Sequence, residues 1–199
     1  MVDDFCVQYC STEDADHFLN ALRAKYLITV NMAAAVYIGI KLEWDYVHRT
    51  VTLSMPSYVR NTLHRFQHIL RGGKDYSPHI SAPIQYLQDF QYVDLLDAVE
   101  YLSDKKTNTM QQVCGILITY AYAIDSIIIP ALSDISSEQA KSKTNTAKKV
   151  AKLLNYLASK PQAEIQYRAS GMQLDIHSDT SYLSVAQARS RSSGVHFLS

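Results

Sequence analysis

The sequence predicts an α+β protein: a sheet and helix first, then a hairpin, a helical middle and a closing run of strands. Three observations predict it. Val36, Ile38, Ile40, Leu42 and Trp44 alternate with Tyr37, Gly39, Lys41, Glu43 and Asp45, the period of a strand with one buried face. Residues 108–158 keep a helical pattern throughout. After Pro161, residues 163–167, 172–177 and 195–198 read as strands. Strands followed by helices and then by new strands is the order of an α+β chain, with a boundary expected between Ser159 and Met172.

Composition sets the outer limits. With 199 residues, 47% of them apolar, the chain can bury a real core, and that content excludes wholesale disorder. Lys+Arg and Asp+Glu are both 19, so the formal net charge is zero. A protein that binds nucleic acid through bulk charge is usually basic; here any such contact must come from local patches. The three cysteines, Cys6, Cys10 and Cys114, make no disulfide framework, and Cys6 and Cys114 sit in apolar strings that read as core. Met1-Val2-Asp3-Asp4 is acidic where a secretory leader would be basic. The longest apolar stretch, 124–132, is broken by Asp125, Ser126 and Pro130 and is far short of the roughly 20 residues that span a bilayer. The expectation is a soluble intracellular protein, cytoplasmic or nuclear, with reduced thiols and no membrane partner.

Taken in order, residues 2–10 have strand character through Val2, Phe5, Val7 and Tyr9. Ser11-Thr12-Glu13-Asp14 supplies hydroxyl caps and acids for the positive end of a helix dipole. Ala15, Phe18, Leu19, Leu22 and Tyr26 then recur at helical spacing, so a helix is expected over 12–25, with a short strand near 27–30. Residues 45–49 turn the 36–44 strand back into 50–54, where Val51 and Leu53 point inward. Pro56 suits a first helical turn. Val59, Leu63, Phe66 and Leu70 form its stripe, and Gly72-Gly73 is the expected stop. Residues 74–83 read as loop and 88–103 as a weaker helix. One helix is expected over 109–123 and another after Pro130. A third presents Ala147, Val150, Ala151, Leu154, Leu157 and Ala158.

Three features carry chemistry. Asp3-Asp4 is a carboxylate pair able to hold a hard divalent cation such as Mg2+, or else a solvated acidic terminus. Asp179 ends the string Leu174-Asp175-Ile176-His177-Ser178-Asp179, where a strand can deliver a metal ligand or simply turn; Asp175 lies on the same face. The helix over 56–70 carries Arg60, His64, His68 and Arg71 on one face, with Arg65 and Lys74 nearby. Such a ridge suits phosphate contact, and is otherwise an ordinary solvated face. His64 and His68 are spaced to chelate zinc, but no third ligand is evident. Lys141, Lys143, Lys148, Lys149 and Lys152 read as the wet side of the last helix. No Gly-rich phosphate loop, CxxC pair or nucleophile elbow appears.

Together these strings resemble one family. Val2-Asp3-Asp4-Phe5 resembles the palm signature Y-V-D-D of reverse transcriptases, with Met1 at the aromatic position. Tyr37-Ile38-Gly39-Ile40 is similar to the F-L-G-I segment of copia-type LTR retrotransposon polymerases, and Thr52-Leu53-Ser54-Met55-Pro56-Ser57-Tyr58-Val59 to their L-S-Q-x-x-Y-I lead into the thumb helix. Ser81-Ala82-Pro83 stands for S-T-P, Gln112-Val113-Cys114-Gly115-Ile116-Leu117 for L-V-G-S-L-L, and Ala123-Ile124-Asp125 for R-P-D. Ile176-His177-Ser178-Asp179-Thr180-Ser181 resembles the opening strand of the retroelement RNase H domain, and Arg191-Ser192-Ser193-Gly194 with Phe197-Leu198 its next strand.

The resemblance runs through nearly the whole chain in order. It implies the end of a reverse transcriptase palm with a primer-grip-like hairpin over 1–55, thumb and connection helices over 56–160, and a truncated start of an RNase H-like domain over 161–199. It implies RNA-directed DNA synthesis and RNA-strand hydrolysis in the intact family. Asp3, Asp4 and Asp179 would be catalytic Mg2+ ligands, and Arg60, His64, His68 and Arg71 would contact a template–primer duplex. A third palm Asp would lie in a polymerase segment upstream of Met1, and only Asp179 matches the four RNase H carboxylates. Two-metal chemistry needs a full cage of acids, so the chain is expected to be catalytically incomplete as it stands. Three readings follow: an excerpt of a polymerase, an inactive genomic relic, or a non-enzymatic module with a weak nucleic-acid surface.

Overall fold

The computed structural model describes residues 5–70, 73–80, 100–185 and 189–199. It is mixed α+β, as expected, with two antiparallel sheets and a bundle of helices. Helix α1 (Thr12–Arg23) starts as its capping residues require: the Ser11 Oγ accepts from the Asp14 N–H at 3.1 Å. Only Ala15 of α1 is buried, and Phe18 meets the edge of the Phe5 ring at 6.2 Å. Residues 5–10 and 27–30 form no strand, because period-2 apolar spacing makes a strand only when another strand supplies the ladder. Cys6 is exposed there rather than in the core, whereas Cys114 is buried.

The strand expected over 36–44 is interrupted. Ile38 and Gly39 both take positive φ, at 49° and 76°, so the chain makes a two-residue turn between β1 (Val36–Tyr37) and β2 (Ile40–Asp45). That is the hairpin turn whose twist suits the flanking strands. A second turn leads to β3 (Thr50–Ser54), with Asp45 Oδ1 accepting from the His48 N–H at 2.9 Å.

Ser57 precedes α2 (Tyr58–Arg65), shorter than the expected 56–70. Its stop is not Gly72-Gly73. Gln67 enters the left-handed region at φ 50°, its N–H donates to the His64 carbonyl at 3.0 Å, and the His68 N–H donates to the Leu63 carbonyl at 2.9 Å. This reciprocal pair satisfies the last carbonyls of the helix. Leu70 therefore falls off the apolar stripe and is exposed.

Helix α3 (Asp104–Ala123) begins five residues before the expected start at 109. A short 3-10 turn, Ser126–Ile128, leads to α4 (Ile129–Glu138), with Pro130 in its first turn. The last helix is α5 (Thr144–Ser159). Val150, Leu154 and Leu157 are buried as the periodicity requires. Leu153 and Tyr156 join them, while Ala151 is exposed. Val59, Val113, Leu117, Tyr120, Ile128, Leu132, Ile135, Leu153 and Leu157 are almost wholly removed from water, so the core lies among α2, α3, α4 and α5. Ile40 and Leu53 dock one sheet face against it.

Strand β4 (Glu164–Arg168) pairs antiparallel with β3, giving the order β1-β2-β3-β4. Although expected with the closing strands, it belongs to the hairpin sheet, and it is followed by β5 (Leu174–Val185) and β6 (Arg189–Leu198). These two form a separate ribbon. The expected helix over 88–103 and the loop over 81–83 lie largely outside the described residues. No helix among the described residues is long and apolar enough to cross a membrane.

Candidate nucleic-acid interface

The basic ridge is built from α2 upward. Val59 and Thr62 face the core and are buried, which turns Arg60, Asn61, His64 and Arg65 outward. Residues four apart share a helix face, so Arg60 and His64 form one row and Asn61 and Arg65 the next. His68, expected as the third member, sits beyond the helix end. Its Nε2 meets the Asn155 Oδ1 of α5 at 2.8 Å in a partly buried pair, so it pins the loop to the bundle. Arg71 lies outside the described residues. Arg65, in the adjacent row, is exposed, with its guanidinium 5.9 Å from the Phe66 ring centre.

What holds α2 in place is aromatic. The Tyr58 ring stacks on Tyr120 of α3 at 5.5 Å and 6°, and its hydroxyl donates to the Ile116 carbonyl at 2.6 Å. Tyr120 is buried, and its hydroxyl has no hydrogen-bond partner of ordinary geometry among the described residues. Burial, and then the Asp125 carboxylate, push its pKa up to about 12. Burial also raises Tyr58 and Tyr156 above the ordinary phenol value. Asp125 is itself buried, and that burial raises its carboxyl despite the nearby Lys160.

The signs are the same for all four groups. A folded pKa above the unfolded one adds stability below the unfolded value and loses it as pH rises toward the folded value. Asp125 therefore favours folding only at acid pH, starting its loss near the ordinary carboxylate pKa. The tyrosines hold stability up to about pH 10 and lose it above. Stability followed by circular dichroism should fall steeply between about pH 10 and 12, and Tyr120→Phe should make that fall shallower. An unchanged alkaline limb would contradict the burial of these hydroxyls.

A small cavity of about 200 Å³ opens beside α2, lined by Phe66, Lys106, Met110, Val113, Val150 and Leu154. It is smaller than ordinary small-molecule sites of roughly 300–1,000 Å³. The second basic stretch is partly spent on structure. Lys149 Nζ bonds the Glu138 carboxylate at 2.6 Å, and Lys152 bonds Asp75. Asp75 and His79, which meets Asp134 at 2.6 Å, lay residues 73–80 across α5 and α4.

Of the acids singled out in the sequence for metal chemistry, only Asp175 and Asp179 lie among the described residues. Asp3 and Asp4 lie outside the described residues. Asp179 is in the middle of β5 rather than at its end, exposed and opposite Ser193. Asp175 shares its face. Among the described residues no group of three or more His, Cys, Asp or Glu side chains is placed to hold a metal ion, so the described acids do not make a Mg2+ cage. His68 lies beyond the end of α2 with its Nε2 engaged by Asn155, so it does not share the helix face of His64.

Sequence reading missed Asp125, Tyr120 and the His68 tether. Asp125 was signalled by its position inside the longest apolar run. The Tyr58–Tyr120 stack joins residues far apart in the chain, and no local pattern announces it. The chain matches no protein-family model, no curated protein and no solved structure.

Proposed function

We propose that the chain is a part of a copia-type retrotransposon Pol polyprotein, running from the end of the reverse transcriptase palm through thumb and connection into the first strands of an RNase H-like domain. The observation that carries this reading is the ordered series of motif-like strings from Val2-Asp3-Asp4-Phe5 to Phe197-Leu198. In this reading Arg60, His64 and Arg65 on α2 hold the backbone of a template–primer duplex. Asp3, Asp4 and Asp179 are remnants of Mg2+ sites whose other carboxylates come from elsewhere in the parent protein, so the chain alone is catalytically incomplete.

The α2 ridge also fits a non-enzymatic module that keeps weak nucleic-acid affinity, and the two are separated by the coding sequence upstream of Met1. An in-frame palm with a further metal-binding Asp is expected. An in-frame continuation into an unrelated domain would overturn the polymerase reading. Arg60→Ala should weaken duplex affinity about uniformly across sequences and reduce the salt slope by about one. An unchanged slope in a binding titration would make α2 merely structural.

A further inference from the structure

Two adjoining cavities lie where the end of α2 meets α3 and α5. The first is the apolar one of about 200 Å³, lined by Met110 and Val113 of α3 and by Val150 and Leu154 of α5. The second is polar, about 270 Å³, and is lined by Arg65, Gln67, Thr109 and Gln112. Phe66 and Thr109 line both, so the two meet at the Phe66 ring. Each alone falls below the ordinary small-molecule range of roughly 300–1,000 Å³, and together they enter it.

The two parts differ in chemistry. Met110, Val113, Val150 and Leu154 belong to the core, and an apolar space of about 150 Å³ already accepts a benzene ring. The first cavity therefore suits one ring or a short aliphatic chain. The lining holds two cations, Lys106 in the first cavity and Arg65 in the second, and no Asp or Glu among the described residues. The Arg65 guanidinium is 5.9 Å from the Phe66 ring centre, which puts one charge where the cavities meet. Neither Arg65 nor Lys106 makes an ion pair among the described residues, whereas Lys149 and Lys152 of α5 are held by Glu138 and Asp75. Gln67 is fixed by the reciprocal hydrogen bonds that end α2 and adds an amide donor to the polar side. Apolar walls with a few convergent polar groups make a ligand site, and uncompensated cations in its lining select a negative charge.

We propose that this groove binds a small amphipathic carboxylate, its aryl ring or short chain in the apolar cavity and its negative charge held by Arg65 and Lys106. The inference goes beyond the duplex reading. It shares only Arg65 with that reading and needs neither nucleic acid nor metal.

Phenylbutyrate is the probe, followed through the backbone amide chemical shifts of the whole chain. Saturable shifts at residues 66–67, 106–113 and 147–154 are expected, with a dissociation constant on the order of 1 mM for so small a ligand. Phenylbutanol keeps the ring and lacks the charge, and should bind about fivefold more weakly. Lys106→Gln should weaken phenylbutyrate by about fivefold and leave phenylbutanol unchanged, whereas damage to the fold would move both. Ala147 is half-buried and lines the apolar cavity, so Ala147→Leu, with an unchanged circular dichroism spectrum, should abolish binding of both. Arg60→Ala should leave both unchanged. Equal binding of acid and alcohol, full binding by Ala147→Leu, or no saturable shift up to about 10 mM overturns the proposal. Phenylbutyrate binding by a chain that fails to bind a duplex overturns the α2 reading alone, and duplex binding without phenylbutyrate binding overturns only this one.

Discussion

Leu117→Ala is expected to destabilise the fold by about 2–5 kcal/mol, the range for a buried leucine whose surroundings relax only in part. Leu117 is fully buried near the middle of α3, within the core formed by α2, α3, α4 and α5. One turn to either side, Val113 and Tyr120 are almost as deeply buried, so the cavity cannot fill with water or collapse cheaply. For a chain of this size each kcal/mol moves the melting midpoint by about 2–4 °C. A drop of about 4–20 °C should therefore appear in a thermal melt. Tyr122 is on the same helix but 72% exposed, and Tyr122→Ala should shift the midpoint little. Equal shifts for the two variants would contradict the assigned face of α3.

Tyr120 gives the second large effect, and its two substitutions should differ in sign. Tyr120→Ala removes the ring that carries Tyr58, and with it the support of α2. A loss of about 3–5 kcal/mol is expected, as for other large aromatics in cores. Tyr120→Phe keeps the stack and deletes only a buried hydroxyl whose contact with the Ala163 backbone falls short of ordinary hydrogen-bond geometry. Leaving such a group unsatisfied costs roughly 1–3 kcal/mol, so the phenylalanine variant should be at least as stable as the parent, by about 1 kcal/mol. Denaturant midpoints measure both. A marked loss in Tyr120→Phe would mean that the hydroxyl has a partner after all.

What could be read from the sequence was what depends on local pattern. The α5 stripe through Val150, Leu154 and Leu157, the cap at Ser11 and the β2–β3 hairpin all follow from spacing and residue type. Three features depend on something else. The α2 stop uses Gln67 in a conformation that glycine adopts more cheaply, so the glycine pair downstream drew the boundary too far. The turn at Ile38-Gly39 puts a β-branched residue at positive φ, which alternation alone argues against. The partner of β4 is set by tertiary pairing with β3 across the whole helical middle. The candidate site follows the same division. Arg60 and His64 were legible as a helix face with Arg65 nearby, but the loss of His68 to Asn155 was not, because that contact is made by a distant helix.

The most direct test of the central claim is the salt dependence of binding between this chain and an RNA–DNA template–primer duplex. With Arg60 and Arg65 exposed on adjacent rows of α2, about two phosphate contacts are expected, and each contributes about −0.9 to the slope of log affinity against log salt. A slope near −2 in the parent, falling toward −1 in Arg60→Ala, is the predicted result. Absence of binding at low salt, where electrostatic contact is strongest, would contradict the account.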